Sequence, residues 1–346
     1  MMKKMIIKGI KWFIIILVLF VVIGLFFPTW TSKIKGEHSI SQMKKVKINN
    51  ANLQIMIRGN DRDNPVIVFV HGGPCCSEIP YVKKYQDLLE KKFTIVHYDQ
   101  RGSGKSYAFG TDYSGVTAST HADDLIALTE YIEDYLHQDQ VILIGHSYGT
   151  YISTLAAAKR PELYRAYVGI GQMSDTIESE LDSLQKCINA AKLEGNAKDV
   201  TYLSGLENSV SQGKIIAPRD YVRKYGFAAR NIDENADYLN GFLFGSEYNL
   251  LDTIRFYTAS GKYQEGLIRE ALDKPITELV TELPIPVYFV MGKYDCMTSP
   301  EAAKQYLRSL SGNSTHEMVI FENSAHYPQF EEKEKFFDWM CSVFAQ

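Results

Sequence analysis

Hydrophobic and polar positions change their rhythm several times along this chain, and each change predicts a different element. From Trp12 to Phe27 no charged or strongly polar side chain interrupts the apolar run, which predicts a helix apolar on every face. Beyond a polar stretch, V-K-I-N-N-A-N-L-Q-I-M-I-R-G-N alternates in the manner of a β-hairpin. Asn64-Pro65 then opens V-I-V-F-V, a continuous apolar run of buried-strand type, and a helical pattern follows from about Pro80 to Lys91. F-T-I-V-H-Y is a second buried strand, and a helix from about Ala118 to His137 leads to V-I-L-I-G-H-S-Y-G. The small-residue stretch T-Y-I-S-T-L-A-A-A-K-R-P continues from it as a helix that ends at Pro161. Y-V-G-I near Tyr167 adds another strand.

Strands alternating with helices imply an α/β protein with a mostly parallel sheet covered on both faces. Between Gln172 and Thr281 the texture becomes helical, charged and tyrosine-rich, and the strand pattern resumes with I-P-V-Y-F-V-M-G and H-E-M-V-I-F. The expected organisation is therefore a tail and membrane anchor at 1–30 and a core domain at 31–171. A helical lid at 172–281 interrupts the core, which is completed by 282–346. A separate tandem domain does not fit, because the sheet needs strands from beyond the insertion.

Extended through Trp30, the N-terminal run covers 19 residues, roughly 28 Å of helix, close to the thickness of a bilayer core. Trp12 and Trp30 stand where interfacial aromatics belong. No small-x-small cleavage site follows the run, so an uncleaved signal anchor is expected in preference to a signal peptide. Lys3, Lys4, Lys8 and Lys11 precede the span, while Lys33, Lys35, Lys44, Lys45 and Lys47 follow it. The short tail is the easier end to keep in the cytoplasm, which places the remaining chain on the extracytoplasmic side. The formal net charge of −4 over 346 residues, without a basic cluster interleaved with aromatics, argues against a nucleic-acid partner. Five cysteines, with Cys75 and Cys76 adjacent, form no metal-ligand spacing and no even disulfide framework.

The chemistry centres on Gly145-His146-Ser147-Tyr148-Gly149. A Gly-x-Ser-x-Gly turn between a buried strand and a helix leaves its serine exposed at the bend, and side chains at 145 and 149 would collide with neighbouring backbone. A serine hydroxyl needs a general base, and that base needs an orienting carboxylate. Asp295 follows a strand in Gly292-Lys293-Tyr294-Asp295, and His326 follows the last strand in Ser324-Ala325-His326. Strand ends on one edge of a parallel sheet converge, so the three residues can meet despite their separation. Two N–H donors for the developing oxyanion are expected from Tyr148, at the helix N-terminus, and from Gly73, after the V-I-V-F-V strand. This chemistry requires no metal and no organic cofactor.

Together with His71-Gly72-Gly73-Pro74 and Tyr98-Asp99-Gln100-Arg101-Gly102, these motifs resemble the prolyl iminopeptidase branch of the α/β-hydrolases. They occur in that family's order and span most of the chain after residue 60. The resemblance implies an α/β-hydrolase fold and a Ser147-Asp295-His326 triad. It also implies release of N-terminal residues from peptides. Three departures accompany it. Cys75 stands where the family usually has glycine, and it is a costly residue if that position has positive φ. Tyr148 replaces a frequent tryptophan. The family's Trp-rich acidic lid motif for the substrate α-amine is absent, leaving Glu178, Glu180 and Glu247 as candidates for that role. An esterase, lipase-like enzyme or lactonase with the same triad is the alternative, and a non-catalytic binding protein on the same fold is a more distant one. Gly102-Ser103-Gly104-Lys105-Ser106 lacks the first glycine of a phosphate-binding loop. Asp123 and Asp124 are expected on an exposed helix face.

Overall fold

The computed structural model describes residues 2–312 and 314–345; Met1, Asn313 and Gln346, and the side chains of Met2, Lys3 and Lys4, lie outside the described residues. Strands β1 (Ile40–Ile48), β2 (Ala51–Gly59), β3 (Val66–Val70), β4 (Thr94–Tyr98), β5 (Val141–His146), β6 (Tyr164–Ile170), β7 (Val287–Gly292) and β8 (His316–Phe321) form one sheet, ordered β1-β2-β4-β3-β5-β6-β7-β8. The β1–β2 hairpin pairs antiparallel with β4, and every pairing from β4 to β8 is parallel. Parallel strands buried on both faces need continuous apolar sequence, and β3 and β5 are buried at every position. Alternate residues of β3 serve opposite faces. Val66, Val68 and Val70 join the larger core cluster, while Ile67 and Phe69 pack in a second one with Phe336, Met340 and Phe344.

The helices are α1 (Met2–Phe26), α2 (Ala118–Leu136), α3 (Tyr148–Lys159), α4 (Thr176–Leu193), α5 (Ala197–Ser204), α6 (Glu207–Ser211), α7 (Arg219–Lys224), α8 (Glu234–Phe244), α9 (Leu250–Asp273), α10 (Ile276–Leu279), α11 (Pro300–Ser309), α12 (Pro328–Glu331) and α13 (Lys333–Phe344). α2 begins at a Thr117–Thr120 capping box and stops at His137, which adopts φ 56°. All of α4 to α10 lies between β6 and β7 in sequence.

Two sequence expectations are corrected. In place of a helix over Pro80–Lys91 there are two single 3₁₀ turns, Val82–Lys84 and Leu89–Lys91. Tertiary bonds override helical periodicity here. Gln86 bonds His97 at 2.8 Å and Glu90 at 2.8 Å, and Glu90 takes Arg58 at 2.6 Å, all buried. Asp124 is also buried, not on an exposed face. It accepts two bonds from Arg101, at 2.6 and 2.7 Å, a bidentate geometry that explains the arginine of the Asp99-Gln100-Arg101-Gly102 motif. Asp123 is exposed and pairs with Lys159.

Within α1, Met5–Phe26 is long and apolar enough to cross a membrane, and its side chains are not buried against the rest of the protein. The chain after it is fixed to the body. Trp30 N–H donates to Ser246 O at 2.9 Å, and Arg58 donates to Thr31 Oγ1 at 2.7 Å. The buried Lys105 ammonium donates to Thr29 Oγ1 at 2.6 Å, to Glu247 O at 3.0 Å and to Asp252 at 2.8 Å.

Candidate active site

The strand order reverses between β3 and β5, which are neighbours although β4 lies between them in sequence. Crossovers leave these two strands in opposite directions, so the loops after them frame a crevice at the carboxyl edge of the sheet. Gly72 follows β3 and Ser147 follows β5. A Cβ on Gly72 would lie 2.7 Å from Ser147 Cβ, and one on Gly149 would run into the Val70 carbonyl. Glycine at these positions lets the two loops close on each other. Ser147 sits at φ 54°, ψ −125°, a strained geometry for a residue with a side chain and the mark of a sharp strand-to-helix elbow.

Asp295 and His326 reach the same place from the ends of β7 and β8. His326 Nδ1 and Asp295 Oδ2 are 2.8 Å apart, both fully buried. Asp295 also accepts from Met297 N–H at 2.8 Å, Thr298 N–H at 3.0 Å and the Thr298 hydroxyl at 2.9 Å. A carboxylate held this way fixes the imidazole with its proton on Nδ1, leaving Nε2 as the acceptor. That Nε2 is buried with no partner among the described residues, and His326 and Ser147 line one cavity of about 420 Å³. A Cβ on Gly171 would lie 2.7 Å from the His326 ring, so this glycine admits the imidazole.

Gly73 (φ 114°) and Tyr148 also line the cavity. As the first residue of α3, Tyr148 has an N–H that needs no helical acceptor. The loop carrying Gly73 is tied from below. Gln100 Nε2 donates to His71 O at 2.6 Å, Gln100 N–H donates to His71 Nε2 at 3.2 Å, and Ser77 donates to Asp99 at 2.5 Å. Burial holds the His71 pKa down to about 4, so the ring stays a neutral acceptor. Cys75 has φ 65°, which makes it a strained residue where glycine would be relaxed.

The three lid carboxylates suggested by sequence fare differently. Glu178 is exposed on the first turn of α4 and does not reach the cavity. Glu247 is buried, but it pairs with Lys83 at 2.8 Å away from the cavity lining. Glu180 does line the cavity, yet Arg219 (2.5 and 2.9 Å) and Ala217 N–H (2.9 Å) take both its oxygens. Two carboxylates that sequence reasoning missed have free capacity there. Glu78 bonds His146 Nδ1 at 2.6 Å through Oε1, while its buried Oε2 has no partner among the described residues. Glu234 pairs with Arg223 through Oε1 at 2.5 Å. Its buried Oε2 has no hydrogen-bond partner among the described residues, and the Glu234 charge, after burial, helps push the pKa of the Tyr327 hydroxyl well above the usual tyrosine range. Glu78 follows the His71-Gly72-Gly73-Pro74 motif closely and Glu234 opens α8 after an Asp233 cap, so sequence position alone marked neither. For His146, burial opposes protonation, but the Glu78 charge and hydrogen bond outweigh it and raise the pKa.

This sheet, with a serine elbow opposite a carboxylate-held histidine, defines a hydrolase of α/β type. The chain belongs to the alpha/beta hydrolase fold family, whose match covers residues 65–333. Among its relatives is a probable aminopeptidase, YbaC, of Bacillus subtilis, 30% identical over 308 residues, 88% of this chain and 96% of that one. A proline iminopeptidase of Saccharolobus solfataricus is 24% identical over 82% of this chain and 84% of its own length. The crystal structure of the Mycobacterium smegmatis proline iminopeptidase superposes with a TM-score of 0.65 at 16% identity, covering 88% of this chain and 97% of that one. Esterases are present among the relatives too. A bifunctional esterase/perhydrolase of Acinetobacter calcoaceticus is 34% identical over 88 residues, 25% of this chain and 29% of its own.

Proposed function

We propose that the chain is a membrane-anchored serine aminopeptidase of the prolyl iminopeptidase type, releasing N-terminal residues from short peptides. Ser147 attacks the scissile carbonyl as His326 Nε2 takes its proton, and the backbone N–H groups of Gly73 and Tyr148 hold the oxyanion. His326 then protonates the leaving amine. Water attacks the acyl-enzyme by the same route, with Asp295 steadying the imidazolium throughout. Residues 172–281 act as the lid over the core segments 31–171 and 282–346, and α1 is an uncleaved single-pass anchor that leaves the catalytic body extracytoplasmic.

One observation carries the peptidase reading: the unpartnered Glu78 Oε2 in the wall of the cavity that Glu234 also lines. A buried carboxylate oxygen left without a hydrogen-bond donor favours a ligand that brings one, and the α-ammonium of a peptide supplies it. The reading is tested by comparing a prolyl anilide with a short-chain nitrophenyl ester, with Ser147→Ala as control. Preferential anilide cleavage is expected, and ester cleavage alone would replace the peptidase with an esterase. That second reading draws on the apolar part of the cavity wall, Met173, Ile216, Ile268 and Met297, which would hold an acyl chain.

A further inference from the structure

Helices α8 and α9 have two working sides. Their inner sides bring Glu234, Tyr238, Gln264 and Ile268 to the cavity wall. On the outer side, Leu239 and Leu243 stand four residues apart on α8, followed by Phe244, while Leu250, Ile254 and Tyr257 follow one another at four and three on α9. Such spacings align side chains on one helix face. All six are exposed, Leu243 by 63% and Phe244 by 81%. Charge is withdrawn from the same surface. Asp237, Glu247 and Asp252 are buried in ion pairs with Lys84, Lys83 and Lys105, and Arg255 is half-buried against Asp252. Exposed apolar patches on this scale mark a binding surface.

The position of α1 decides what covers it. A Cβ on Gly24 would lie 3.8 Å from Leu250, Asn249 Nδ2 donates to Phe27 O at 2.9 Å, and Ser246 O accepts from Trp30 N–H at 2.9 Å. Gly24 belongs to the apolar span Met5–Phe26. If that span crosses a bilayer, Leu250 stands at the level where acyl chains end, and the apolar faces beginning there meet lipid. Phe27 and Trp30, in ring contact at 6.1 Å, mark the same level with interfacial aromatics. Lys33 and Lys35, exposed just beyond, suit anionic headgroups.

We infer that the outer face of α8 and α9, formed by Leu239, Leu243, Phe244, Leu250, Ile254 and Tyr257, lies in the headgroup–acyl boundary of the bilayer that α1 crosses. The inference rests on the anchor reading above. It makes the lid a monotopic membrane element, with lipid against one side of the helices whose other side walls the active-site cavity.

The test uses the full chain in vesicles of phosphatidylcholine and phosphatidylglycerol containing phospholipids brominated near the top of the acyl chain. Tryptophan fluorescence is read from single-tryptophan variants. One carries Phe244→Trp with Trp12→Phe, Trp30→Phe and Trp339→Phe; the others keep only Trp12 or only Trp339. Bromolipid is expected to quench the tryptophan at 244 by about half or more, as it does interfacial residues, and to leave Trp339 unchanged. Quenching of Trp12 with none at 244 overturns the inference and leaves the anchor standing, whereas no quenching at Trp12 removes both. Loss of quenching at 244 together with cross-linking into dimers assigns the face to a second copy and also overturns it. A separate measurement avoids tryptophan replacement. In vesicles, added protease should cut α8 of the Leu243→Asp, Phe244→Asp variant about tenfold faster than α8 of the parent chain, and equal rates would count against lipid contact.

Discussion

At Gly72, Gly149 and Gly292 an added Cβ would run into backbone or the nucleophile, whereas at Gly195, Gly261 and Gly266 it would meet nothing within 4 Å. The first group belongs to the loops at the sheet edge, the second to the helical segment between β6 and β7. Around the serine, chemistry depends on backbone closeness, which only particular residue types permit. In the helical segment, the cavity wall is shaped by side chains whose pairing is settled across the fold. One region tolerates little substitution, and the other can change its cavity wall without changing its frame.

The sharpest way to break that contrast is at the nucleophile. Ser147→Ala should lower kcat about 10⁴- to 10⁶-fold and abolish fluorophosphonate labelling while the fold persists. Residual labelling at full rate would move the nucleophile elsewhere. Gly149→Ala should destabilise by several kcal/mol, since the Val70 carbonyl cannot retreat from a strand. The matching Gly261→Ala in α9 should stabilise by about 1 kcal/mol. Chemical unfolding of both variants checks the pair, and equal effects would erase the distinction.

Acidification probes the tied base of the oxyanion loop. Burial lowers the pKa of His71 to about 4 and that of His97 to about 3. The unfolded chain therefore binds protons below about pH 6.5 that the folded chain refuses, so stability is full above that pH and falls as pH drops toward 4. Asp99, raised to about 6 by burial, and Glu133, raised to about 7, act in the opposite sense. Between pH 7 and pH 5 the two pairs largely cancel, so a net change within about 1 kcal/mol is expected. A loss of several kcal/mol in unfolding curves would contradict it.

Smaller effects sharpen the loop after β3. Glu78→Gln should raise KM for an amine-bearing anilide roughly tenfold and leave KM for a neutral ester unchanged; parallel changes would deny Glu78 the amine. Cys75→Gly should stabilise by about 1 kcal/mol, through relief of the positive φ, as thermal unfolding would show.

Legibility in the sequence follows the same division. β3, β5, β7 and the Gly145–Gly149 turn were readable because two-faced burial and close approach dictate residue type over several consecutive positions. Asp295 and His326 were readable from their places after strands. Glu78 and Glu234 were not, because their value lies in an oxygen left without a partner, and pairing across the fold has no local signature. Glu247 failed for the same reason, claimed by Lys83 from a distant loop. The turns over Val82–Lys91 were missed because Gln86 and Glu90 answer to His97 and Arg58.

Lys105 joins three parts of the molecule with one ammonium: Thr29 from the segment after α1, Glu247 and Asp252 from around the start of α9, and the core loop on which it stands, where its own N–H donates to Asp99 at 2.6 Å. A shortened chain that begins after residue 30 would lose one of those partners along with α1. If α1 is the anchor proposed above, the joint makes it a strut, because a lateral pull on the helix would be shared at once by the helical segment and the core. The angle at which the catalytic body stands on such a support is then a property of the folded protein, with one buried cation at the point where its parts meet.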